Sequence, residues 1–239
     1  MTRAELIQAV ALRMDEITPS AGLSVTVDGS DNNPLGTLIN GLIDGGTLEL
    51  FSIAPYFRLP QTEFTDIALA TVGTQRTINE DQTTGQRKII RLKVGNDFLR
   101  VAEINCPDFQ RPITEVFPEQ SSEGKRQHNP FLMAKEARPV GVISYGVWGT
   151  GVSAVQCREI DCYSLATDTT VTTSDVAASY IAKPGTISDT STPAVSVESV
   201  VPPVLIEALE WIIASRAFGA RGDSNHAEIC QQNAQRLLV

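Results

Sequence analysis

The stretch from Val201 to Val239 constrains this chain most, because it carries more apolar helical surface than two helices can bury between themselves. Pro202 and Pro203 open it, where a missing N–H costs a helix nothing. Leu205, Ala208, Leu209, Ile212 and Arg216 follow at steps of three and four, and Trp211 and Ile213 widen the stripe to more than one face. Gly219 and Gly222 break the pattern, and Asp223, Ser224 or Asn225 is suited to cap a second helix. In that helix Ala227, Cys230, Ala234, Leu237 and Leu238 repeat the spacing. Burying roughly six large side chains in this pair stabilises it by about 10 kcal/mol before entropy is subtracted. The pair therefore requires partners, and the other strong helical patterns lie at the start of the chain.

There, Thr2 and Glu5 form a capping box, and Leu6, Val10, Arg13, Met14 and Ile17 keep helical spacing until Pro19. Residues 20–33 are rich in Gly, Ser, Asp and Asn and read as a loop, with Asn33-Pro34 as the next cap. Leu35, Leu38, Ile39, Leu42 and Ile43 give a second stripe. Gly41, Gly45 and Gly46 weaken it, which leaves Thr47 to Ile53 open to either a strand or a continued helix. From about Gln61 the pattern turns to short alternating runs. Lys88 to Val94, a turn at Gly95-Asn96-Asp97 and Phe98 to Ile104 read as a hairpin. Val140 to Tyr145, Val155 to Tyr163 and Val176 to Ala182 are further strands. Thr167 to Ser174 has almost nothing to bury and is expected to be mobile in a free subunit. The expected fold is α+β: residues 1–60 and 200–239 form a small antiparallel helical bundle, and residues 61–199 form an antiparallel β domain inserted in it.

The charge excludes a class of function. Nineteen Lys and Arg against 28 Asp and Glu leave a formal charge of −9, whereas proteins that grip nucleic acid backbone are basic. No apolar run is long enough for a membrane span, and the N-terminus reads as an amphipathic helix, so a soluble chain made in a cytoplasm is expected. Cys106, Cys157, Cys162 and Cys230 lack metal-ligand spacing. In a strand Cys157 and Cys162 point to opposite faces, and reduced structural thiols are expected.

No catalytic, cofactor or metal constellation emerges. His128 lies in a polar run, where a solvated loop histidine fits better than a catalytic one, and His226 reads as an exposed residue near a helix start. Gly149-Thr150-Gly151 lacks the context of a phosphate cradle. Arg221-Gly222-Asp223 spells a known adhesion tripeptide, but a helix break calls for Gly and a capping Asp there. Glu207, Glu210 and Glu228 read as solvated helix faces. Arg111-Pro112, Arg138-Pro139 and Lys183-Pro184 place a basic residue in extended conformation before proline.

Asp97-Phe98-Leu99-Arg100, Arg111-Pro112-Ile113-Thr114-Glu115, Gln127-His128-Asn129, Arg138-Pro139-Val140 and Tyr180-Ile181-Ala182-Lys183-Pro184 resemble, in order and spacing, the ring or head-to-tail adaptor proteins of crAss-like phages. Ala54-Pro55-Tyr56 and the helices after Val201-Pro202 extend the likeness, and the closing pair is similar to portal adaptors of other podoviruses. The resemblance implies a non-enzymatic virion protein, a dodecameric ring in the neck between portal and tail, assembled in a bacterial host cytoplasm. DNA would pass through its lumen without specific binding, and no cofactor or membrane is involved. Partner contacts, to portal and further tail or ring proteins, are expected at Arg111, Gln127, Asn129, Arg138 and Trp211. The competing reading is a β-domain tail appendage that binds a receptor or glycan, with Tyr145 and Trp148 as its aromatic cluster. A hydrolase built on the β block, the third reading, lacks an acid/base pair.

Overall fold

A computed structural model describes residues 1–17, 34–74, 85–127, 134–148, 155–165 and 169–239. The fold is mixed α+β, with six α-helices and two β-sheets among the described residues. The chain divides into two compact units, one made of Met1–Pro60 with Lys183–Val239 and the other of Gln61–Ala182. Residues 183–199 thus go with the two ends of the chain, not with the strands.

In the first unit, α1 (Arg3–Ile17) starts at the expected capping box: Thr2 Oγ1 accepts from the Glu5 N–H at 3.1 Å, and Glu5 returns the bond to the Thr2 N–H at 2.7 Å. Leu6, Val10 and Met14 form its fully buried stripe. The extra residues of this unit serve the same helix. Asp189 accepts from the Arg3 and Ala4 N–H groups at 2.9 and 3.1 Å, placing a carboxylate at the positive helix end. The Met1 ammonium pairs with Glu198.

Helix α2 (Pro34–Ile53) is uninterrupted, so the strand alternative for Thr47 to Ile53 does not occur. The glycines that weaken its propensity permit its packing, since a Cβ on Gly46 would stand 2.6 Å from Ile213 Cγ1 of α5 (Ile206–Ala220). Helix α5 is the hub. It packs on α1, α2 and α6 (Ser224–Leu238), which is why Leu209, Trp211, Ile212, Ile213 and Phe218, spread around its circumference, are all buried. Helix α6 buries only Cys230, Ala234 and Leu238. The short α4 (Val197–Val200) precedes the hub.

Between α5 and α6 the chain makes a Schellman turn: the Gly222 N–H reaches Gly219 O and the Asp223 N–H reaches Phe218 O, both at 3.0 Å. Gly222 has φ +81°, a conformation that glycine adopts without strain, and Asp223 then caps α6 by accepting from the His226 N–H at 3.2 Å. Arg58 reaches the other end of α6, donating to Leu237 O at 2.9 Å and Val239 O at 3.0 Å.

The second unit contains both sheets. β1 (Thr62–Glu63), β8 (Ala177–Ala182) and β4 (Phe98–Asn105) form a three-stranded antiparallel sheet in the order β1-β8-β4. β2 (Ile67–Thr74), β3 (Gly85–Val94), β7 (Val155–Tyr163), β6 (Val140–Trp148) and β5 (Val116–Pro118) follow one another across the five-stranded sheet. All its pairs are antiparallel except β5 with β6. Helix α3 (Ser122–Arg126) follows β5. Ile90, Leu92, Ile160 and Cys162 of the larger sheet share one core with Phe98, Val101, Ile104 and Tyr180 of the smaller.

The expected hairpin of β3 and β4 is absent. β3 pairs with β2 and β7, whereas β4 pairs with β8, so Gly95-Asn96-Asp97 carries the chain from one sheet to the other. The Asp97 carboxylate fixes that crossing by accepting from the Tyr180 hydroxyl at 3.0 Å. The Thr167 to Ser174 run is also misread where it is described: Thr169 and Val171 are buried, and Thr172 and Asp175 form a capping box around a single 3-10 turn. Residues 166–168 lie outside the described residues.

Candidate functional site

Of the five residues expected at partner contacts, two are consumed by the fold. Gln127 is buried, its amide donating to Glu123 O at 3.1 Å and accepting from the Ala134 N–H at 2.9 Å. That pair of bonds ties residue 134 to the end of α3, a structural task. Trp211 is buried on α5 with the Arg13 guanidinium 5.3 Å from its ring centre, and so presents no contact surface. Arg111 and Arg138 are exposed, and a 3.1 Å bond from the Gln110 N–H to Glu136 O brings their segments side by side. Asn129 and His128 lie outside the described residues.

Other sequence candidates resolve into structure. Glu210 is not a solvated carboxylate: it is 7% exposed and accepts from Arg13 Nε at 3.0 Å, while exposed Glu207 takes Arg13 Nη2 at 3.1 Å. His226 is half-buried beside Phe218, its Nδ1 2.6 Å from Asp223 Oδ2. This contact, first of all, holds the Asp223 carboxyl below its usual range. Cys162 and Cys230 are buried, and burial raises both thiols, the latter to about 11, so neither is a ready thiolate. Among the described residues no three His, Cys, Asp or Glu side chains cluster as metal ligands.

Two features of the β unit escaped the sequence reading. The first is a charged cluster on the face of the larger sheet that does not form the shared core. Arg91 of β3 grips Asp161 of β7 through two bonds, Nε to Oδ1 at 2.7 Å and Nη2 to Oδ2 at 2.9 Å. Glu159, two residues away on the same face, is 4% exposed, and its Oε2 stands 3.5 Å from Arg91 Nε with no hydrogen bond. Its carboxylate lies where a Cβ on Gly146 of β6 would sit. Burial raises the Glu159 pKa; Arg91 opposes that and Asp161 adds to it.

The second feature is a ribbon. β3 ends at Val94, opposite Arg158, and β5 reaches only Ile143, so among the described residues Ser144 to Trp148 and Val155 to Cys157 pair only with each other. Along β6 the residues that share a face with core residue Ile143 are Tyr145 and Val147, here 85% and 55% exposed. Val155 is 56% exposed. Tyr145 and Trp148 are three residues apart on one strand and point to opposite faces, so they do not make the expected aromatic platform.

A cleft of about 460 Å³ lies at the far end of the smaller sheet, lined by Glu63, Phe64, Ile67, Glu103, Asn105 and Ala177 among others. Alternation alone signalled the ribbon strands, but which side of a strand lacks a cover depends on the size of the opposing sheet. No protein-family model matches this sequence, and no curated protein is significantly similar to it.

Proposed function

We propose that this chain is a structural subunit of a virion neck, forming a closed, dodecameric ring between portal and tail through which DNA passes. In this reading the helical unit is a small antiparallel bundle into which the β domain is inserted, the organisation that the resemblance to ring and adaptor proteins implies. The observation that supports it most is the apolar surface left in water on both units. Leu12, Phe57 and Val204 of the helical unit are 65%, 68% and 73% exposed, and the β unit adds Tyr145 and Val147. Side chains of this kind mark protein contacts when they gather into patches. The two-sided apolarity of α5 no longer argues for a neighbour, because α1, α2 and α6 cover it.

Portal contact is proposed for the neighbouring segments of Arg111 and Arg138, where two exposed Arg-Pro pairs, each at a bend, present guanidinium groups to a partner. Purified chain mixed with its portal and imaged as single particles tests the reading. A ring of density with the portal's symmetry is expected, and single copies bound at irregular positions would overturn it. The glycan-binding alternative loses its platform with the separation of Tyr145 and Trp148.

A further inference from the structure

The uncovered ribbon and the cleft belong to one compact unit, and each has what the other lacks. From Ser144 to Arg158 the sequence carries a single charged residue, Arg158, whose guanidinium lies 5.5 Å from the Phe98 ring centre at the start of β4. The cleft lining includes two carboxylates, Glu63 and Glu103, and no basic residue, above an apolar floor of Phe64 and Ile67. A protruding, apolar, singly positive ribbon is thus complementary in charge to a recessed, doubly negative, partly apolar cleft.

Within one chain the two are not joined: Tyr145 and Val147 are 85% and 55% exposed, so the ribbon's apolar face is not seated in its own cleft. We infer that the ribbon of one subunit docks in the cleft of a second copy of this chain, Tyr145 and Val147 on the apolar floor and Arg158 toward Glu63 and Glu103. Such a contact is heterologous, and repeated it closes into a ring when its rotation fits.

The area sets its strength. Two apolar side chains offer at most a few hundred Å², against about 800 Å² per partner in a stable interface. The contact is therefore weak between free chains and effective when each subunit makes it twice in a ring. It rests on the ring reading for its biological setting, but its geometry is tested separately.

Sedimentation equilibrium of the full chain, up to about millimolar concentration, decides it. Wild type shows reversible self-association, and Tyr145→Asp and the pair Glu63→Arg with Glu103→Arg each weaken it at least about tenfold, with unchanged circular dichroism. A mixture of the two variants regains one intact ribbon and one intact cleft, so it forms a dimer and nothing larger. Variants that associate as wild type does, a mixture that stays monomeric, or a wild type without self-association overturns the contact. Each of these leaves the ring reading to the portal-bound particles, where a ring whose subunits touch elsewhere would separate the two.

Discussion

Glu159 and Glu210 show how differently a buried carboxylate behaves with and without a dedicated cation. Glu210 shares Arg13 with exposed Glu207, while Glu159 borrows an Arg91 already held by Asp161. Replacing Arg13 by Ala leaves the Glu210 charge buried and is expected to cost about 3 kcal/mol in urea denaturation, less if Glu210 is changed to Leu as well. For Glu159 the folded-state pKa lies above the unfolded one, so the folded state binds the proton more tightly. Its contribution to stability is present in acid and lost as pH rises through the folded pKa. Glu159→Gln is therefore expected to raise the melting temperature at pH 7 to 8, the difference vanishing by about pH 4. Arg91, Asp161 and Glu119 face this carboxylate. None of these pairings is legible in the sequence: Glu210 looks like any helical glutamate, and Arg13 lies far from it along the chain.

At the scale of elements, helices were more legible than sheets for a physical reason. A helix's period and caps are local, so the Thr2–Glu5 box and the Asp223 cap are written where they act. Strand partners are not local. Alternation at Lys88 to Val94 and Phe98 to Ile104 marks two strands, but a Gly-Asn-Asp link serves a sheet crossing as readily as a hairpin. The glycines of α2 show local propensity yielding to packing, and they separate two effects in one helix. Gly46→Ala pushes a methyl group against Ile213 and is expected to destabilise by about 1–3 kcal/mol. Gly41→Ala meets nothing within 4 Å and is expected to stabilise by roughly 0.5–1 kcal/mol. Chemical denaturation of both variants gives opposite signs; a common sign would contradict the close packing of α2 on α5.

At the scale of the whole molecule, two units and an acidic charge are joined by a single functional reading. A net charge of −9 per subunit, repeated around a ring, suits a lumen that repels or ignores a duplex within a Debye length of about 8 Å. Purified chain is expected to show no salt-sensitive duplex binding by fluorescence anisotropy, and tight binding that weakens with salt would reject a non-gripping lumen. What the sequence did not reveal at this scale is the exposed β6–β7 ribbon, because its exposure follows from the smaller sheet ending before the larger one. The most direct measurement of ring formation is the number of copies of this chain per portal, read by native mass spectrometry of the reconstituted complex. A dodecameric complement on each portal is the expected result, and one copy per portal would contradict the ring.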